Sequence, residues 1–143
     1  MSPQPYVFPE SPSPQLKVVQ DYIKFFSAFD LEKLGTLISD NLVHKIVPES
    51  LGVPNRTKAE ILAFLAHMRG MFNGKPLEIT VYDINEGVGK IWLHGKIAEP
   101  LDGEGVYLFE FGVGPDALKI TSFTEFADSK RYLELAQRLL PTN

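Results

Sequence analysis

The sequence predicts one α+β domain, in which a curled antiparallel sheet has helices before and after it in the chain. Three observations predict this fold. Apolar residues recur at helical spacing up to residue 72 and again after residue 128, whereas between 77 and 126 they alternate at every second position. Short turn sequences separate the alternating segments, which joins neighbouring strands into an antiparallel meander. Helices that flank a run of strands, rather than alternating with them, disfavour a parallel βαβ fold.

The composition limits the classes of protein to which the chain can belong. It has 143 residues, a usual length for one domain, and no cysteine, which excludes disulfides and cysteine zinc sites. Its 18 acidic and 14 basic residues are scattered, so no basic face is offered to nucleic acid. The apolar runs are too short to span a bilayer, and the first residues do not resemble a signal peptide. We therefore expect a cytoplasmic protein with no nucleic-acid or membrane partner.

Local signals place each element along the chain. Five prolines among the first fourteen residues predict an irregular arm over residues 1–12, followed by a single domain over 13–143. Ser13, followed by proline, is typical of a helix N-cap, and Thr57 with Glu60 forms a capping box. The predicted elements are, in order, helices over 14–29 and 31–38, a strand over 42–47, a helix over 57–72, strands over 77–84, 90–99, 106–113 and 118–126, and a helix over 129–140.

The order of these elements, together with three short stretches, resembles the SnoaL-like branch of the nuclear transport factor 2 (NTF2) superfamily, especially its small fungal members in terpenoid, polyketide and alkaloid pathways. The stretches are Asn41-Leu42-Val43-His44 running to Pro48, Arg56-Thr57-Lys58-Ala59-Glu60 opening the third helix, and Glu125-Phe126-Ala127-Asp128-Ser129 leaving the last strand. The resemblance implies a cone-shaped, curved antiparallel sheet wrapped by about four helices around one apolar pocket. It also implies a homodimer that isomerises, cyclises or dehydrates its substrate without a cofactor.

Two positions depart from that family pattern. Gly105 and Val106 precede Tyr107, where members often carry an Asn-Glu pair, and the third helix has Ile61 and Phe64, where an aromatic residue and a histidine are common. Both changes make the implied pocket more apolar and leave fewer catalytic groups in it.

Three residues are candidates for acid/base catalysis: His44, Tyr107 and Glu125. His44 shares its strand face with Leu42 and Ile46, so its imidazole, which exchanges protons near neutral pH, is expected to point inward. Glu125 lies in an apolar stretch, where desolvation makes a carboxyl group a usable acid or base. Tyr107 lies on an aromatic face and can donate to a substrate oxygen. Structural roles remain open for each: a carbonyl partner for the histidine, an outward position for the glutamate and core packing for the tyrosine.

Further residues are candidates for substrate binding. They are Tyr22, Phe26, Phe64, Met68, Phe109, Phe123 and Asp128. Asp128 can equally cap the last helix, because an aspartate at that junction accepts hydrogen bonds from free backbone donors. The three histidines are dispersed over separate elements without the spacing of a metal site, so we expect neither a metal nor a cofactor.

Trp92 alternates with Lys90, His94 and Lys96 on a strand face that is expected to lie outward. A large aromatic residue on such a face predicts that a second subunit packs there.

Two functions of different class remain open. The first is a cofactor-independent isomerase, cyclase or dehydratase that acts on an apolar, oxygenated small molecule of fungal secondary metabolism. The second is a non-catalytic carrier of a hydrophobic ligand, or a protein-binding module of the same fold.

Overall fold

Five strands and four α-helices make up the fold, and the computed structural model describes residues 4–139. The strands are β1 (Ile38–Val47), β2 (Ile79–Gly87), β3 (Lys90–Ile97), β4 (Gly103–Phe111) and β5 (Ile120–Phe126). The helices are α1 (Pro14–Ser27), α2 (Leu31–Thr36), α3 (Lys58–Met71) and α4 (Ser129–Leu139), with short 3-10 turns at Glu49–Leu51 and Gly114–Asp116. The strands form one curved sheet in the order β1-β5-β4-β3-β2, which confirms the predicted α+β class.

Side-chain caps begin the helices where the sequence predicts them. Ser13 Oγ accepts a hydrogen bond from the backbone N–H of Leu16 at 3.1 Å. Thr57 Oγ1 accepts from the N–H of Glu60 at 3.2 Å, and the Glu60 carboxylate accepts from the N–H of Thr57 at 3.0 Å. The second of these bonds lowers the pKa of Glu60, since it stabilises the charged form. The capping box is confirmed, and it fixes the chain just after Arg56.

The last four strands form the predicted antiparallel meander. The expectation of an antiparallel sheet is corrected at β1, which pairs with β5 in the parallel sense. A parallel neighbour needs a long connection, and α3 with three strands lies between these two strands in the chain. The pairing sets His44 opposite Phe123 and Ile46 opposite Glu125.

The second helix ends earlier than predicted. α2 stops at Thr36, and Ile38, which the sequence pattern assigned to this helix, begins β1 instead. The pairing of β1 with β5 shifts register between Ile38 and Val43. This irregularity removes the alternation of buried and exposed residues that would have signalled a strand over 38–42.

Apolar residues of α1 and of the concave sheet face form the hydrophobic core. Leu16 and Val19 of α1 are almost completely buried. One turn further along, the ring of Tyr22 packs edge to face against Phe109 of β4, with ring centroids 5.2 Å apart. Burial of this apolar surface stabilises the contact between helix and sheet and fixes the inner wall of the functional site.

The described part of the N-terminal arm, residues 4–12, forms neither helix nor strand but lies along the edge of the sheet. The N–H of Tyr6 donates to the carbonyl of Val81 on β2 at 2.7 Å. Tyr6 and Phe8 pack edge to face, with ring centroids 5.1 Å apart, against the core. Residues 1–3 of the predicted arm lie outside the described residues. Within residues 4–139, no helix combines the length and apolar character needed to cross a membrane.

Candidate active site

A cavity of about 500 Å³ lies between the concave face of the sheet and helices α1, α3 and α4. The segment after β1, over residues 51–54, completes its wall. Most of its lining is apolar, so a bound molecule would be held chiefly by removal of its apolar surface from water. Nine of the ten predicted site residues line this cavity: His44, Tyr107, Glu125, Tyr22, Phe26, Phe64, Met68, Phe109 and Phe123.

His44 of β1 and Glu125 of β5 lie side by side in the cavity wall. Nε2 of His44 is 3.7 Å from Oε2 of Glu125, which is beyond hydrogen-bond distance. The His44 side chain is only 3% exposed, and neither of its ring nitrogens has a hydrogen-bond partner among the described residues. The Glu125 side chain is 29% exposed. Each group can therefore exchange a proton with a molecule bound in the cavity.

Two tyrosines face the same pair. Burial raises the pKa of Tyr22, and the negative charge of Glu125 raises it further. The same two causes, in the same order, raise the pKa of Tyr107, and Tyr22 adds to them. Both rings pack on Phe123, with centroid distances of 5.6 Å and 5.8 Å. The two phenols therefore keep their protons at neutral pH and can donate hydrogen bonds to a substrate oxygen.

Two glycines shape the sheet next to Tyr107. Gly95 of β3 and Gly105 of β4 are paired across the strands. A Cβ atom on Gly105 would lie 3.1 Å from the hydroxyl oxygen of Tyr107, whereas one on Gly95 would lie 2.9 Å from the backbone carbonyl of Thr80. The missing side chain at Gly105 thus makes room for the phenol. This position is the one at which the sequence departs from the Asn-Glu pattern of the resemblance.

Asp128 is the predicted binding residue that the structure places outside the cavity. It is exposed, and its Oδ1 accepts hydrogen bonds from the N–H groups of Lys130 at 3.0 Å and Arg131 at 3.3 Å. These bonds satisfy backbone donors of the first turn of α4, which is the capping role that the sequence left open. The assignment of Asp128 to substrate binding is therefore corrected.

Arg56 and Tyr132 line the cavity but were not among the predicted site residues. Arg56 exchanges two backbone hydrogen bonds with His44, each 2.9 Å long. Its guanidinium lies over the ring of Phe64, 4.5 Å from the centroid. Burial is the main cause that raises the pKa of Tyr132, and the nearby guanidinium opposes that effect. The capping box signals that a helix begins just after Arg56, but no periodic pattern signals the pairing with His44 that brings Arg56 to the cavity.

The described residues bring no metal-binding cluster together. Over residues 4–139, no group of three or more histidine, cysteine, aspartate or glutamate side chains is placed to hold a metal ion. The chemical groups that face the cavity are instead one imidazole, one carboxylate, one guanidinium and three phenols.

Comparison with known proteins gives relatives at low identity. No family model matches the sequence. A protein named monooxygenase dmxR10 from Cryptosporiopsis sp. (strain 8999) is 25% identical over 126 residues, which are 84% of this chain and 83% of that protein.

Solved structures match most of the chain. The BvnE pinacolase from Penicillium brevicompactum has a TM-score of 0.68 at 13% identity, covering 87% of this chain and 90% of that one. An LEH-like epoxide hydrolase from M. tuberculosis has a TM-score of 0.65 at 17% identity, covering 87% of this chain and 90% of that one. A SnoaL-like protein of unknown function from Burkholderia thailandensis has a TM-score of 0.64 at 16% identity, covering 83% of this chain and 98% of that one. Enzymes are thus among the proteins that share this architecture, and the chain has the curved-sheet fold of the NTF2-like and SnoaL-like proteins.

Proposed function

We propose that this chain is a cofactor-independent isomerase, cyclase or dehydratase that acts by acid/base catalysis on an apolar, oxygenated small molecule of fungal secondary metabolism. The observation that carries the proposal is the His44–Glu125 pair, 3.7 Å apart, in the wall of an otherwise apolar cavity. Such a cavity holds the substrate in one orientation and excludes water, which strengthens each electrostatic contact inside it.

The reaction needs one group that removes a proton and one that returns a proton. We assign these two roles to Glu125 and His44, which are neighbours and can act on two adjacent positions of one substrate. Tyr107 and Tyr22 donate hydrogen bonds to a substrate carbonyl or hydroxyl oxygen, where negative charge develops as the proton leaves. In an isomerisation or ring closure, one proton is removed from the substrate and one is returned to it, so the reaction consumes no net proton. In a dehydration the returned proton leaves with the hydroxyl group as water.

The named structural neighbours support an enzyme of this kind, because a pinacolase and an epoxide hydrolase share the architecture. The 25% identical relative carries the name monooxygenase, which is a different reaction class. Dependence on oxygen separates these two classes, since proton transfer alone consumes no O₂.

The test is turnover of a panel of oxygenated terpenoid, polyketide and alkaloid intermediates, followed by mass spectrometry in air and under argon. We expect an intermediate to be converted equally under both atmospheres. Glu125→Gln should reduce turnover about 10²–10⁴-fold, because the amide keeps the shape but cannot carry the proton. His44→Ala should give a comparable loss, and the double variant little more, since groups that act as a unit are not additive.

Glu104→Gln is the matched control for Glu125→Gln. Glu104 also lies 3.7 Å from a histidine, His94, but both side chains are largely exposed on the other face of the sheet. This control should keep full turnover. Full turnover by a folded Glu125→Gln variant would contradict the assignment. Conversion only in air, with oxygen incorporated, would identify a monooxygenase, and binding without any conversion would identify a carrier.

A further inference from the structure

Arg56 brings a positive charge into a cavity whose wall is largely apolar. It is the one lysine or arginine among the described residues that line the cavity. Within residues 4–139 it forms no salt bridge. Two carboxylates share its neighbourhood, but Glu60 is engaged in the capping box and Glu125 lies against His44. The charge of Arg56 is therefore available to a bound molecule.

A ring contact and a backbone pairing place Arg56 in the cavity wall. The guanidinium lies over the ring of Phe64, 4.5 Å from the centroid, which is a cation–π contact. Tyr132 lines the same cavity, and the charge of Arg56 opposes the effect of burial on the pKa of its phenol. Arg56 and His44 exchange both of their backbone hydrogen bonds, and residues paired in this way project their side chains to the same side. Arg56 therefore lines the cavity beside His44.

We propose that Arg56 binds a planar, delocalised oxyanion of the substrate, either a carboxylate or the enolate of a 1,3-dicarbonyl unit. Two parallel N–H groups of a guanidinium match the two oxygens of such an anion, and the weak hydration of the guanidinium makes its partial burial tolerable. The apolar lining strengthens the attraction, since fewer water molecules screen it. This inference deepens the proposed function and rests on it only in taking the cavity as the substrate site.

The location of Arg56 also orients the substrate. Its backbone is paired with that of His44, so an oxyanion held by Arg56 places the adjoining part of the molecule beside His44 and Glu125. The apolar remainder then extends along Phe26, Met68 and Phe109, which line the rest of the cavity. The substrate class is an apolar molecule with one acidic end, and proton transfer occurs near that end.

The experiment measures binding of probes by calorimetry, without turnover. The carboxylate probe is 1-naphthylacetate, its neutral match is 1-naphthylacetamide, and the enolate probe is 4-hydroxycoumarin. The wild type should bind at least one of the two anions more tightly than the amide. Arg56→Gln should weaken binding of that anion about 10–100-fold, as expected for charge-assisted hydrogen bonds, and should change binding of the amide by less than about 2-fold. The affinity of Arg56→Lys for that anion should lie between those of the wild type and Arg56→Gln, because lysine keeps the charge but lacks the two parallel N–H groups of the guanidinium.

Arg69→Gln is the matched control, since Arg69 is exposed on α3, the helix that follows Arg56 in the chain, and does not line the cavity. It should leave all three affinities unchanged. A loss of affinity for 1-naphthylacetate in Arg56→Gln identifies a carboxylate as the recognised group, and a loss of affinity for 4-hydroxycoumarin identifies an enolate. Equal affinity of the wild type for the amide and both anions, or equal loss of all three in a folded Arg56→Gln variant, would overturn the proposal. If Arg56→Gln does not fold, the comparison of wild type with Arg56→Lys decides. Selective anion binding without conversion of any substrate would refute the proposed function and leave the oxyanion site standing.

Discussion

Replacing His44 by leucine should stabilise the protein while it reduces turnover about 10²–10⁴-fold. The His44 side chain is 3% exposed, and both of its ring nitrogens lack a hydrogen-bond partner among the described residues. A buried polar group left without a partner costs about 1–3 kcal/mol, and an apolar side chain of similar volume removes this cost. Against this gain stands the loss of the 3.7 Å contact with the partly exposed Glu125, which contributes about 1 kcal/mol or less. The free energy of unfolding should therefore be higher for His44→Leu than for the wild type.

The assay is thermal and urea unfolding of the wild type and His44→Leu. A gain of about 1–2 kcal/mol in the free energy of unfolding raises the melting temperature of a domain of this size by about 3–6 °C. The urea midpoint should rise with an unchanged slope, which shows that the unfolded state is the same. His94→Leu is the control, because His94 also lies 3.7 Å from a glutamate but is 41% exposed. His94 shares the outer strand face with Trp92, so this control is measured at a protein concentration at which sedimentation shows a monomer, and there it should change stability by less than about 0.5 kcal/mol.

A lower melting temperature for His44→Leu would refute this reasoning. It would mean that the imidazole stabilises the fold in its present position, as a structural histidine does. A higher melting temperature together with lost turnover would identify His44 as a residue that is retained for function at the expense of stability.

Two further predictions concern the outer sheet face and alkaline pH. We propose a homodimer through the face on which Trp92 packs 5.5 Å from the half-exposed ring of Phe126. Sedimentation should show about twice 16.0 kDa, and Trp92→Glu should dissociate the dimer by burying an unpaired charge, whereas a wild-type monomer at every concentration would contradict it. The raised pKa values of Tyr22 and Tyr107 mean that two of the five tyrosines should ionise only on unfolding. Stability is then undiminished below pH 10.0, where the unfolded chain also keeps these protons, and falls above it. Phenolate absorbance checks this, and ionisation of all five near pH 10.0 in the folded protein would exclude it.

Much of the site could be predicted because its residues lie on regular elements. The alternation of Leu42, His44 and Ile46 determines which side of β1 is buried. The face of β5 that carries Glu125 has mixed polarity, so its inward position was expected from the family resemblance. Once a sheet face is known to be concave, every second residue on it faces the cavity. Periodicity together with the family resemblance was therefore enough to find nine of the ten residues.

The remaining parts depend on contacts between distant segments. Arg56 reaches the cavity through its backbone pairing with His44, and an isolated bridge of this kind leaves no periodic pattern in the sequence. The parallel pairing of β1 with β5 likewise follows from which sheet edge is open, which local propensities do not encode. Asp128 could satisfy either of two chemical roles equally well, and only the geometry of α4 decides for the cap.

The facing glycines of β3 and β4 have a consequence for how this protein can change by mutation. At Gly95 the obstacle to a side chain is the Thr80 backbone, which cannot move without rebuilding the strand pairing. At Gly105 the obstacle is the far end of the Tyr107 side chain, which can swing away. A single methyl group at residue 105 therefore displaces the phenol by a few tenths of an ångström while the sheet stays intact. Of the two positions, residue 105 is therefore the one at which a substitution can change substrate preference, in nature or in the laboratory, while the fold is kept.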